Sequence, residues 1–273
     1  VPETIATGCH IGRIVEPDNS SLITYSSQVS RILQKHCVEC HRKGDIAPFS
    51  LTDYDEVVGW ADTIAEVIEL QRMPPWHANP EYGHFLNQRL MTDEEKQLVY
   101  DWVSAGAPEG DRADLPQPRT FLKGWRLPRK PDRVVEMNET PFTVASQGTI
   151  EYQYFVADPG FIEDTWIQVA EVVPGNRQVV HHAIVFIRPP KLDPSQGMGW
   201  LIAYVPGQSI LSLPEGQAKL VPAGSQFVFQ MHYTPTGREQ EDKTRVGLVL
   251  DRKHFDTVQH PFDERSHSAV TTK

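Results

Sequence analysis

The sequence predicts a multidomain chain, a small all-α domain followed by an all-β antiparallel sandwich, and three observations carry that expectation. Residues 21 to 105 hold three stretches with apolar residues at helical spacing. Residues from about 150 to 250 break into short runs heavy in β-branched and aromatic side chains, divided by turn signals. Between them, from Gly106 to Pro131, lies a segment rich in Pro, Gly, Arg and Asp with no sustained apolar period, which reads as the linker. With 273 residues the chain is long enough for two cores.

The first predicted helix lies in "YSSQVSRILQKHCVECH", where Val29, Ile32, Leu33 and His36 share a face and Ser26 or Ser27 is the expected N-cap. A second periodicity runs through "YDEVVGWADTIAEVIEL" and must stop at "RMPPWH", because two prolines forbid its continuation. In "TDEEKQLVYDWVSAG" Thr92 and Glu95 form a capping box, and Gly106 supplies the C-terminal stop. The predicted strands are "TIEYQYFV", "DTWIQVAEVV", "QVVHHAIVFI", "WLIAYV", "SQFVFQMHYT" and "RVGLVL", with "DPG", "VPGN" and "PAGS" as turns. The tail "DRKHFDTVQHPFDERSHSAVTTK" is polar, shows no strand pattern, and is expected to be flexible or foreign to the fold.

Charge restricts the partners. Residues 21 to 118 hold 16 Asp plus Glu against 8 Lys plus Arg, a balance of -8 within the whole chain's -10. Such acidity disfavours nucleic acid or an anionic membrane. No run of 18 apolar residues exists to span a bilayer, and "VPETIATGCH" lacks the basic-then-apolar pattern of a signal peptide. Either a leader has been removed or the chain is a piece of a longer one.

Residues 37 to 41, "CVECH", raise a sharper question: a haem site, half a zinc site or a redox dithiol. C-x-x-C-H suits c-type haem attachment, in which Cys37 and Cys40 add to the vinyl groups and His41 reaches the iron. A structural zinc site needs a second pair of ligands at similar spacing, and Cys9 is the only other thiol. A thioredoxin-like dithiol follows a strand, whereas here helices surround it. For the sixth iron ligand, Met73 lies 32 residues beyond His41 in a loop held extended by paired prolines; its alternative reading is core filler. His77 and His84 compete with it as axial ligands, and Cys9 reads as an unpaired structural or linker thiol.

The second half carries its own metal pattern. His181 and His182 sit side by side in one predicted strand and His232 in a later one. Successive strand residues face opposite sides, so one metal takes both members of the pair only at a bulge or through different ring nitrogens. Three neutral imidazoles without a carboxylate or thiol suit copper or zinc. Met231 points to the other face and reads as core.

The stretches "VSRILQKHCVECHRKGDIAPFSLTDYDEV", "RMPPWHANPEYGHF" and "MTDEEKQLVYDWVSAGAPEGD" resemble the single-haem cytochrome c domains that some bacteria fuse to copper monooxygenases, and "VPETIATGCHIGR" resembles a segment that follows an upstream redoxin domain. The segment "YQYFVADPGFIEDTWIQVAEVVPGNRQVVHHAIVFI", with "WLIAYVPG" and "LPEGQAKLVPAGSQFVFQMHYTPTG", is similar to the N-terminal domain of the copper type II, ascorbate-dependent monooxygenases. The resemblance implies a class I-like cytochrome c domain over residues 21–112, a linker over 113–132, a jelly-roll-like sandwich over 133–250 and a tail over 251–273, after an N-terminal segment 1–20. It implies one covalent haem c on Cys37, Cys40, His41 and Met73, and one electron-relaying copper on His181, His182 and His232. The family's second domain, with a His-x-His pair and a distant Met that hold the oxygen-binding copper, has no counterpart: His254, His260 and His267 in the tail have the wrong spacing. The protein so implied is a haem- and copper-containing oxidoreductase in the periplasm or outside the cell. Its electrons come from a redox protein or a small reductant such as ascorbate, and a second copper domain is supplied elsewhere or missing. The alternative is an electron carrier or assembly subunit without turnover. Trp125 and Phe121 in the linker offer two uses, docking one domain on the other or patching the sandwich.

Overall fold

The computed structural model describes residues 15–251 apart from 77, 80, 86, 87, 123 and 192–196, together with Thr257–Gln259. Among these residues the chain divides into two compact units, one running to Thr120 except for Gly44–Pro48, the other comprising Gly44–Pro48 and the chain from Phe121 onward. The first is helical and the second is built of β-strands, so the chain is richer in strand than in helix.

In the helical unit, a π-helical turn (Tyr25–Val29) runs into α1 (Ser30–His36). The cap is Thr24 rather than Ser26 or Ser27. Its backbone is extended and its side chain accepts the Ser27 N–H at 3.2 Å, while Ser26 is fully buried inside the helical turn. The second periodicity is divided into α2 (Tyr54–Val58) and α3 (Ala61–Glu69), with the break at Gly59 and Trp60. Asp53 caps α2 through the Glu56 N–H. The last helix, α4 (Asp93–Ser104), has the complete capping box of Thr92 and Glu95, and Gly106 beyond it adopts a φ of 77°. Val29, Leu33, Val57, Ile64, Ile68, Val99 and Trp102 form the core these helices share.

Glu95 does more than cap. One carboxylate oxygen accepts from the Thr92 N–H and lies 3.0 Å from His36 Nε2, while the other meets Lys35 Nζ at 2.7 Å. Burial pushes this carboxyl upward, yet the hydrogen bonds from Lys35, Thr92 and His36 hold it below the usual range. The N-terminus of α4 is thereby tied to the C-terminus of α1, one residue before Cys37.

The β unit has the strands β1 (Arg133–Glu136), β2 (Phe142–Val144), β3 (Gln153–Ala157), β4 (Thr165–Val173), β5 (Val180–Arg188), β6 (Gly199–Tyr204), β7 (Ile210–Ser212), β8 (Gln217–Val221), β9 (Gln226–Tyr233), β10 (Gln240–Asp242), β11 (Arg245–Leu250) and β12 (Thr257–Gln259). One sheet runs β1-β11-β4-β8-β12 with β7 also on β4; a second runs β3-β9-β5-β6; β2 and β10 form a ribbon. A single core draws Ile167, Val172 and Leu248 from the first sheet and Val185, Ile187, Phe227 and Phe229 from the second, so the two sheets are layers of a sandwich. Pairing is antiparallel throughout except at one edge, where β12 lies parallel to β8. That strand corrects the expectation of a tail without strand pattern: Thr-Val-Gln is too short to show alternation, and its partner strand supplies the pairing.

The segment expected to be linker has a packing role. The Trp125 ring lies on Gly247, where a Cβ would meet its atoms at 2.7 Å, and Arg245 stands 5.2 Å from the same ring. The Arg126 N–H donates to Glu171 Oε2 at 2.5 Å, and Leu127 buries against Val169 and Val249 on the outer face of the first sheet. Glu171 is fully buried and burial raises its carboxyl above the usual range, partly opposed by the Arg126 bond. Trp125 therefore patches the sandwich.

Candidate metal centres

The three histidines converge because of one irregularity in strand pairing. In β5 and β9, Val180 faces Tyr233 and His182 faces His232, so His181 is the extra residue of a bulge. Val180 and Ala183 are both fully buried, and the two residues between them turn outward together. Without the bulge, period-two alternation would send one imidazole into the core. His232 stands directly across from His182, while Met231 before it is fully buried, as expected from alternation.

One ring nitrogen from each of the three lies within 4.8 Å of the other two. His181 Nδ1 and His182 Nδ1 are 3.2 Å apart. Nitrogens bound to one ion at about 2.0 to 2.1 Å stand roughly 3 to 3.5 Å apart, so this pair already has a ligand's spacing, and a pair at the 4.8 Å limit needs roughly 1.3 to 1.8 Å of closure. His232 Nδ1 is buried without a hydrogen-bond partner, an orphan that a metal would satisfy. Burial lowers the pKa of both His181 and His182, and the neighbouring His232 adds to it, so all of these effects favour the neutral form that ligates. Tyr152 packs its ring 5.0 Å from His232 and 5.6 Å from His182. Sequence reading missed Tyr152; its signal was the outward alternation of Tyr152, Tyr154 and Val156 at one edge of this sheet. The donor set, three imidazoles and no carboxylate, fits a borderline metal such as copper or zinc and does not fit calcium or magnesium.

In the helical unit the chain leaves α1 in a tight turn: Cys40 N and His41 N both donate to Cys37 O, at 3.1 and 2.9 Å. Two thiols and an imidazole thus come from one turn, and Cys37 and Cys40 are not joined in a disulfide. Burial, reinforced by Cys40, pushes the Cys37 thiol up to about 12, so it is a protonated thiol at neutral pH. The His41 ring lies 4.6 Å from Phe49, which stacks on Trp60 at 4.0 Å. Burial lowers the His41 pKa; its Nδ1 lacks a hydrogen bond of good geometry, although the Phe49 backbone favours a proton on the ring. This donor set fits covalent haem attachment.

Met73 is 42% exposed, which rules out the core-filler reading. It lines an open cavity of about 720 Å³ whose other walls include Trp76 and Met91 but none of Cys37, Cys40 and His41. His84 is exposed, and His77, Cys9, His254, His260 and His267 lie outside the described residues. No helix among the described residues is long and apolar enough to cross a membrane. Neither the known protein-family models nor the curated proteins include a match to this chain.

Proposed function

We propose that the chain is a haem- and copper-containing oxidoreductase of the copper type II monooxygenase kind, with Cys37, Cys40, His41 and Met73 holding a c-type haem and His181, His182 and His232 holding copper. The observation that carries the reading is the bulge that turns two consecutive imidazoles to the side of a third. A strand departs from alternation at a cost in ladder pairing, and a ligand common to both residues accounts for the departure. The C-x-x-C-H turn supports the haem half through the chemistry of its donors. Bound at these sites, iron and copper supply one-electron redox steps. The protein's own contribution is orientation: β5 and β9 fix the three imidazoles by register and bulge, and the turn after α1 fixes three more donors by local hydrogen bonds. Burial favours the neutral, ligating form of His41, His181 and His182. Electrons would enter from a redox protein or a small reductant such as ascorbate, and the site of action is the periplasm or the cell exterior.

A second reading, an electron-transfer or assembly subunit without turnover, is favoured by the single cluster of His, Cys, Asp and Glu suited to a metal among the described residues. The purified chain is expected to hold one covalent haem, seen as a pyridine haemochrome, and one copper with a Cu(II) paramagnetic resonance signal. Ascorbate should reduce both. Absence of that copper signal after loading would sink the copper site. Oxygen insertion by this chain alone, or a second tightly bound copper, would exclude the reading without turnover.

A further inference from the structure

We infer that Arg119 is a positioning residue for the C-x-x-C-H turn and offsets the charge of Glu39 inside it, an inference that rests on the haem reading above. The chain beyond α4 does not leave the helical unit at once. It runs alongside the first helical segment in the same direction: Tyr25 N and Ser26 N donate to the carbonyls of Pro108 and Glu109 at 2.9 Å, and Arg31 Nη2 donates to the Asp114 carbonyl at 2.9 Å. Arg119 anchors the far end of this strap. One guanidinium nitrogen donates to the Gln34 carbonyl at 2.7 Å and the other to Glu39 Oε2 at 2.9 Å. Gln34 lies in the last turn of α1, and Val38 N bonds the Leu33 carbonyl instead of its own, which leaves the Gln34 carbonyl to a side chain. The fork thus joins the end of the helix to the middle of the turn across 80 positions of sequence. Arg42 braces the same turn through the Val38 and Glu39 carbonyls, and Arg119 adds a contact to a charged group. The Glu39 side chain is only 19% exposed, so the pair is partly withdrawn from solvent and its charges act more strongly than those of a surface pair. The fork therefore fixes the turn that carries Cys37, Cys40 and His41. It also offsets a negative charge that on its own favours the oxidised, more positive state of an iron held there.

The test compares Arg119→Gln, Glu39→Gln and the double variant in the full chain matured with its haem. Loss of Arg119 leaves Glu39 uncompensated and should lower the midpoint potential, loss of Glu39 should raise it, and the double variant should lie near the wild type. Arg119→Lys should recover part of the fall. A merely structural clasp would move both single variants the same way, and that result, or two unmoved potentials, would overturn the charge role. Exchange of the Cys40 and His41 amide hydrogens, both bonded to the Cys37 carbonyl, reports the turn itself and needs no haem. In the haem-free full chain it should quicken several-fold in Arg119→Gln while the amides of Val99 and Trp102 in α4 exchange as in the wild type. Unchanged exchange at the turn, or equal quickening in α4, would overturn the positioning role. A wild-type chain matured without covalent haem, seen by pyridine haemochrome, would instead remove the reading beneath the inference, and the exchange measurement would still decide whether Arg119 holds the turn.

Discussion

The two candidate centres gather their ligands from opposite directions. In the helical unit, three donors lie within five residues and one turn of backbone brings them together. In the β unit, His182 and His232 are 50 positions apart and meet only through the register of β5 and β9, with His181 added by a bulge. The difference is in what folding must accomplish. The C-x-x-C-H donors remain neighbours in an unfolded chain, whereas the imidazole cluster exists only when the sandwich is formed, so metal affinity there is folding free energy.

The largest effects should come from attacking each centre in turn. Cys37→Ser with Cys40→Ser should abolish covalent haem and leave the copper signal of the sandwich unaltered. His232→Ala should weaken copper retention by on the order of 100-fold or more while haem spectra persist. Loss of both metals from either variant, measured by metal analysis and spectra, would break the contrast.

A smaller effect concerns Lys219, which reaches from β8 to donate to the carbonyls of Trp200 and Leu201 on β6. Burial lowers its pKa from 10.5 to about 8. The folded value lies below the unfolded one, so the unfolded chain binds more protons between them. Stability of the β unit should therefore rise with pH across 8 to 10.5, by up to about 3 kcal/mol. Lys219→Met should flatten that rise in denaturant titrations, and an unchanged slope would refute it. Next, Gly247→Ala forces a methyl against the Trp125 ring and should cost about 1 to 3 kcal/mol in the same unit, read by Trp fluorescence on unfolding. Smallest, Thr92→Ala removes the cap of α4 and should cost about 1 kcal/mol in the helical unit alone, checked by thermal melts followed at about 222 nm, the helix band.

Legibility in the sequence divides along the same line between local and remote. The capping box of α4 and the burial of Met231 could be read, and the histidine pair could be narrowed to a bulge or different ring nitrogens, because each rests on spacing within a few residues. The Thr24 cap was missed because serines two and three positions later compete for the same role, and only the conformation of the chain chooses between them. The strap from Trp125 to Leu127 reads as linker, since what it covers, Gly247 and Val169, is remote in sequence. Tyr152 escaped for the same reason: nothing near it in the chain announces histidines 30 and 80 positions away.

The extra residue at His181 makes the histidine cluster a matter of counting. Point substitution changes which side chain a position carries but leaves the phase of the strand alone. An in-frame loss of one codon between Val180 and Ala183 would delete one of the two histidines and restore unbroken alternation against β9, leaving a single imidazole beside His232. Gain of a codon there would shift the phase again. This short stretch should therefore tolerate insertions and deletions far less than the loops around it, and a library of single-codon indels across β5, selected on copper retention, should show its sharpest intolerance between Val180 and Ala183.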